Sequence, residues 1–215
     1  MNKKIIVFIF VMQILCLSSL SLKPRKKSDY TKSSKINRIF VDLEKEYKLA
    51  NYFMNQNQKK VYSKLKGEER EYYVRSFWKS LDPNPLSEEN EFLAHIEQRI
   101  EYANKNFSGA RAGWESDKGR IYVKYGEPFE VYEGNTGKFD DLDNLDQQFF
   151  QNRDYELWKY HMEDGQDEIF LFFETQTFGE MRLIYSATSS EVGFARWQKY
   201  LSEDNLRKII GGLYE

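Results

Sequence analysis

The sequence predicts an α+β fold: N-terminal helices, then an antiparallel sheet of about five strands, then a C-terminal helix. Three observations carry this. Up to Phe107 the apolar residues recur every three or four positions, the period of a helix face. Beyond it they come in short alternating runs punctuated by glycine, the pattern of strands and hairpins. The runs follow one another closely, which favours antiparallel pairing over parallel crossovers.

The elements follow in order. Ile36, Ile39, Phe40, Leu43, Tyr47 and Ala50 form a first helical stripe. A polar patch from Asn55 to Lys60 interrupts it before Val61, Tyr62 and Leu65 resume. Gly67 breaks the pattern, and Glu68 and Glu69 open a new first turn, where negative charge suits the helix dipole. That helix carries Tyr73, Val74, Phe77, Trp78 and Leu81 and stops at Asp82-Pro83-Asn84-Pro85. Ser87 is the expected cap of the next helix, whose face is Phe92, Ile96, Ile100, Ala103 and Phe107. Residues 108–113 form a loop. Ile121, Val123 and Tyr125 alternate as in a strand, and Phe129 to Glu133 suggest a second. Residues 134–153 read as a long acidic loop. Tyr155 to His161, Ile169 to Glu174 and Met181 to Ala187 complete the strands, with Gly165 and Gly179 at the connections. Ser189 or Ser190 caps a last helix bearing Val192, Phe194, Trp197 and Leu201, and a final turn covers Leu206 to Ile210.

The organisation is leader, linker, helical extension and domain. Lys3 and Lys4, the apolar run Ile5–Leu17 and Ser19-Leu20-Ser21 read as a secretory signal peptide over residues 1–21. The mature chain is expected to start at or near Leu22. An uncleaved anchor is the alternative, since Lys23, Arg25, Lys26 and Lys27 follow at once; a lipid on Cys16 is disfavoured by Leu15 before it. Residues 22–35 read as a flexible basic linker and 36–66 as a helical extension expected to dock only weakly. Residues 67–215 form the α+β domain.

Composition excludes several classes. The chain has 215 residues, 16% of them aromatic, enough large apolar groups to build a core. One cysteine rules out an internal disulfide and a cysteine zinc cluster, and two histidines leave little metal chemistry. Residues 22–82 hold 16 Lys/Arg against 8 Asp/Glu, and residues 126–170 hold 3 against 13. The basic segment lacks the glycines and stacking aromatics of nucleic-acid binders, so none is expected. Contact with anionic membrane through Lys23, Arg25, Lys26 and Lys27 is an alternative use of it.

No cofactor or metal site is expected. Nucleophile elbow and phosphate loop are absent. Glu91 and His95 share a helix face but supply too few ligands. Asp140, Asp141, Asp143 and Asp146 resemble a calcium loop only in composition, as Leu145 fills a ligand place. Trp78, Trp114, Trp158 and Trp197 are expected in the core rather than on a binding surface.

Ordered blocks run from Phe77-Trp78 through Asp82-Pro83, Asn90-Glu91, Arg99-Ile100, Tyr102-Ala103-Asn104 and Phe107 to Gly113-Trp114-Glu115-Ser116-Asp117. Lys118-Gly119-Arg120-Ile121-Tyr122-Val123, Tyr125-Gly126-Glu127-Pro128 and Tyr155-Glu156-Leu157-Trp158-Lys159-Tyr160 follow. Together they resemble the GWxTD domain family of exported bacterial proteins, with Ser116 in place of threonine. The resemblance implies an envelope-associated protein of unestablished biochemical role and supplies no catalytic residues. The candidate loop is Gly113, Trp114, Ser116, Asp117 and Arg120, read as a structural turn with recognition as the alternative. Arg120 is expected to pair with a carboxylate such as Glu156, and Gly119 to take positive φ. The function expected is an exported, non-enzymatic interaction or assembly module with a protein partner. The alternative is an envelope hydrolase using paired carboxylates, for which Glu115 and Glu156 are candidates.

Overall fold

A computed structural model of the chain describes residues 39–136, 152–174, 179–187, 191 and 203–211. Residues 1–35, read above as leader and linker, Asp140–Asp146 and the helix expected around Val192–Leu201 lie outside the described residues. Helix α1 spans Leu43–Ala50. The stripe starting at Ile36 predicts an earlier start, but extended Asp42 ends the approach and caps the helix, its carboxylate accepting from Glu44 N–H. Asn55 and Gln58 form a reciprocal capping box on α2, Gln56–Lys64. Gly67, at φ +52°, turns the chain into α3, Glu68–Ser80, with three glutamates in its first turn. Helix α4 is Glu91–Asn106. Its cap is Asn90, not Ser87: the Ser87 hydroxyl is spent on the Asn84 and Glu89 carbonyls. Asn90 instead accepts from Leu93 N–H and donates to the Trp78 carbonyl, tying α4 to α3.

These helices share one core. Leu49, Ala50, Val74, Trp78, Ile96 and Ala103 are buried together with Trp114. The weak docking expected of residues 36–66 is therefore corrected. Phe40 stacks on Trp114 at 5.0 Å between ring centres, and Tyr47 on Tyr62 at 3.6 Å. Phe40 thus joins the segment before α1 to the signature tryptophan, and the tyrosine stack joins α1 to α2.

The clearest departure is at residues 117–125. The alternation of Ile121, Val123 and Tyr125 predicts a strand, but Asp117–Tyr125 is a helix, α5. Ile121 is buried against the sheet and Val123 against the helical core. Residues two apart on a helix point to nearly opposite sides, so a helix covered on both sides mimics the strand period.

Among the described residues four strands, against about five expected, form the sheet: β1 Glu130–Asn135, β2 Asp154–His161, β3 Asp167–Glu174 and β4 Met181–Ser186. Their order is β1-β2-β3-β4, all antiparallel, with Val131 opposite Trp158 and Leu157 opposite Leu171. Gly165 and Gly179, at φ +79° and +68°, stand in the connections. Strand β3 is buried on both faces. Phe170 and Phe172 face α5, while Leu171 and Phe173 face Leu206 and Ile209 of α6, Glu203–Gly211. Layers therefore stack as helical core, α5, sheet and α6.

At the exposed β2–β3 hairpin, hydrogen bonds first from His161 and then from Lys159 hold the Asp167 carboxyl below its ordinary range. A group whose folded pKa is depressed contributes stability above its unfolded pKa and loses it as pH falls through the folded one. An NMR titration of the Asp167 carboxyl carbon should give a midpoint under the ordinary 3.8. His161→Ala should raise it.

Candidate functional site

The pentapeptide Gly113–Asp117 sits where α4, α5 and β4 meet. Gly113–Glu115 form a 3-10 turn and Ser116 caps α5. Gly113 lies so close to α4 that a Cβ would overlap the Ala103 carbonyl. Gly119, in the first turn of α5, lies on Gly113 in the same way: a Cβ there would overlap the Gly113 carbonyl. Three backbones are thus stacked without side chains between them. Gly119 is helical, not at positive φ as expected, and its role is close approach.

Each remaining motif side chain is engaged. Trp114 is 3% exposed and packs on Phe40 and Tyr52. Its backbone N–H donates to Asn104 Oδ1 and its carbonyl accepts from the Tyr52 hydroxyl, both at 3.3 Å. Burial drives the Tyr52 phenol pKa upward, so it stays protonated as a donor. Ser116 Oγ donates to the Gly113 carbonyl at 2.7 Å and accepts from Gly119 N–H at 2.9 Å. Asp117 Oδ2 accepts from Leu183 N–H at 3.0 Å and from Arg182 Nε at 2.7 Å. It thereby ties α5 to β4 and occupies an N–H on the outer side of an edge strand.

Arg120 does not reach Glu156. It pairs with Glu191, which also accepts from Lys124 and, at 3.1 Å, from the Tyr125 hydroxyl. Burial pushes the Arg120 guanidinium pKa down, and the Asp117 charge opposes that. Glu156 is taken by Lys118 Nζ at 2.7 Å and by Trp158 Nε1 at 3.0 Å. Lys118 lies over the Phe107 and Trp158 rings, 4.9 and 5.3 Å from their centres, a partly buried cation–π arrangement. Sequence reasoning did not single out Lys118; its place between the motif's Asp117 and Gly119 was the available signal. It also passed over Arg111, which binds Glu180 at 2.6 Å.

A cavity of about 160 Å³ adjoins the motif, lined among others by Phe107, Ser108, Arg111, Lys118, Glu180 and Met181. Its cations are both in ion pairs, which leaves it polar but nearly neutral. The two acids considered for hydrolysis have separate partners, Glu115 with Lys48 at 2.8 Å and Glu156 with Lys118. His95 is exposed and Glu91 accepts from Asn84. Among the described residues no cluster of three or more His, Cys, Asp or Glu could hold a metal ion. Trp78, Trp114 and Trp158 are all buried, and Trp197 lies outside the described residues.

Asp117→Ala removes a carboxylate that holds two donors. A hydrogen bond to a charged group is worth about 1.5–3 kcal/mol, less where solvent screens Arg182. We expect a loss of about 2 kcal/mol in urea unfolding, with Asp117→Asn intermediate.

The geometry defines a class: a layered α+β scaffold whose signature loop is the joint between helices and sheet. The GWxTD domain model matches residues 23–139, and the chain belongs to the GWxTD domain family. The match takes in α1 to α5, the joint and β1, and stops before β2. No curated protein and no solved structure matches the chain.

Proposed function

We propose that this protein is an exported cell-envelope module that binds a protein partner and assembles with it, without catalysis of its own. The observation that carries the reading is the contrast between the two sheet edges. The polar groups of the signature loop are consumed inside the fold, and Asp117 closes part of the β4 edge. At the β1 edge, Phe129 and Val131 are 62% and 48% exposed. Exposed apolar residues beside a sheet edge favour strand addition. Export is supported by the leader pattern of residues 1–21. Among the described residues no helix is long and apolar enough to cross a membrane. The basic residues Lys23, Arg25, Lys26 and Lys27 would bring the domain to an anionic surface.

Two measurements test this. Intact mass of the native protein should place its N-terminus near Leu22; retention of residues 1–21 would replace export by anchoring. A photo-crosslinker at Val131 should capture a defined envelope protein. The same group at Tyr72, 62% exposed on α3, should not. Equal capture at both positions would refute the edge as the binding site.

A further inference from the structure

We propose that the cleft beside the signature loop binds a small zwitterion, an α-amino acid with an apolar side chain. This is a second binding function, and it does not depend on the β1 edge.

The cleft lies where the end of α4, the start of α5 and the start of β4 converge. Its volume of about 160 Å³ is close to the ~150 Å³ of a protein cavity that takes benzene. One molecule of amino-acid size fits. The rim is exposed at Asn106, Gly109 and Arg111, so entry needs no unfolding.

The lining decides the chemistry. Its hydroxyls are already engaged. Ser108 Oγ donates to the Asn104 carbonyl and accepts from Gly113 N–H, and Ser116 Oγ is held between Gly113 and Gly119. Recognition therefore falls to the three charged side chains that line the cleft: Arg111, Lys118 and Glu180. Arg111 and Glu180 stand on different walls, one in the loop after α4 and one just before β4. They meet through a single Nη2–Oε1 contact at 2.6 Å, with side chains 39% and 25% exposed. Beyond this the guanidinium reaches only the Glu115 carbonyl, at a long 3.5 Å. A one-point, solvent-screened pair adds little stability, so it opens at little cost. Deeper, with its side chain 15% exposed, the Lys118 ammonium gives one hydrogen bond to Glu156. It has donors left for another acceptor.

Charge pairing then selects the ligand. A simple anion placed between Arg111 and Glu180 gains the guanidinium but sets a like charge against Glu180. A simple cation gains Glu180 but sits beside Arg111 and Lys118. A zwitterion suits both walls. Its carboxylate takes Arg111 and Lys118, its ammonium takes Glu180, and each group keeps an opposite charge on insertion. Because the two walls touch at 2.6 Å, the inserted charges must lie close together, as they do on an α-carbon. Phe107 and Met181, both packed on the sheet core, give the ligand's side chain an apolar wall.

The test titrates the full chain with leucine and three relatives. Isocaproate lacks the ammonium, isoamylamine lacks the carboxylate, and glycine lacks the apolar group. Binding is read by calorimetry and by backbone amide shifts. Leucine should bind with a Kd of about 1 mM or lower, and each relative about tenfold more weakly. Shifts should centre on Ser108–Arg111 and Gly179–Met181. Glu180→Gln removes the acidic wall and should reverse the order, so that isocaproate binds better than leucine. Arg111→Gln should weaken both. The two substitutions are at partly exposed side chains and should leave the melt nearly unchanged. The reversal is a change of preference that a loss of stability does not produce. Isocaproate binding the unsubstituted chain as tightly as leucine would overturn the zwitterion and leave an anion site. A preference for leucine retained in Glu180→Gln would overturn the role of Glu180. Leucine shifts absent, or scattered away from the cleft, at about 10 mM would overturn the site itself.

Discussion

Trp114→Ala should leave the domain unfolded or melting far lower. The indole has almost no exposed surface and contacts Phe40 and Tyr52, while its main chain is held by Asn104 and Tyr52. Truncating a buried tryptophan costs about 3–5 kcal/mol, a large part of a domain's ~5–15 kcal/mol. Because Phe40 rests on this ring, the segment preceding α1 should loosen too. Ser116→Ala is the milder control, losing one cap at about 1 kcal/mol. Thermal melts of the two variants decide the matter. An unchanged melt for Trp114→Ala would show that the ring carries recognition instead of packing.

Gly119→Ala should be nearly as damaging, against the usual trend. Within a helix, alanine is normally favoured over glycine by about 1 kcal/mol. Here the added methyl would meet the Gly113 carbonyl, which cannot swing aside as a side chain can. Gly113→Ala would meet the Ala103 carbonyl of α4 in the same way. Overpacking costs about 1–3 kcal/mol in ordinary cores, and a backbone obstacle belongs at or above the upper end. Gly109→Ala, with open space around it, should be close to neutral. Chemical denaturation of the three variants gives the comparison. A stabilised Gly119→Ala would mean that α5 can withdraw from the turn without penalty.

How far the residues alone reveal this arrangement depends on what each pattern measures. α3 and α4 are legible because each buries a single stripe, and a stripe has the helix period. β2, β3 and β4 are legible because β-branched and aromatic runs end at turn glycines. α5 is not, because two covered sides erase the one-stripe signal and leave alternation. The Asn90 cap was hidden by a serine three residues earlier that satisfies the same composition rule but spends its hydroxyl on a turn. Within the loop, the burial of Trp114 follows from its size and the small residue beside it. The partners of Asp117 and Arg120 do not, since Leu183 and Glu191 lie 66 and 71 residues away and many acids were available. Gly119 shows a further limit: a glycine needed for contact and one needed for positive φ look alike in a sequence.

Helix α5 is a shared wall. Its Val123 side belongs to the helical core and its Ile121 side to the sheet. Neither half can therefore melt alone without stripping one side of that helix. The two layers should lose their structure in one cooperative event, although each is built mainly from neighbours in sequence. Under native conditions, deeply protected amides of α4 and of β3 should exchange with a common opening free energy. A protease that needs an unfolded stretch would then find none in either layer until both give way.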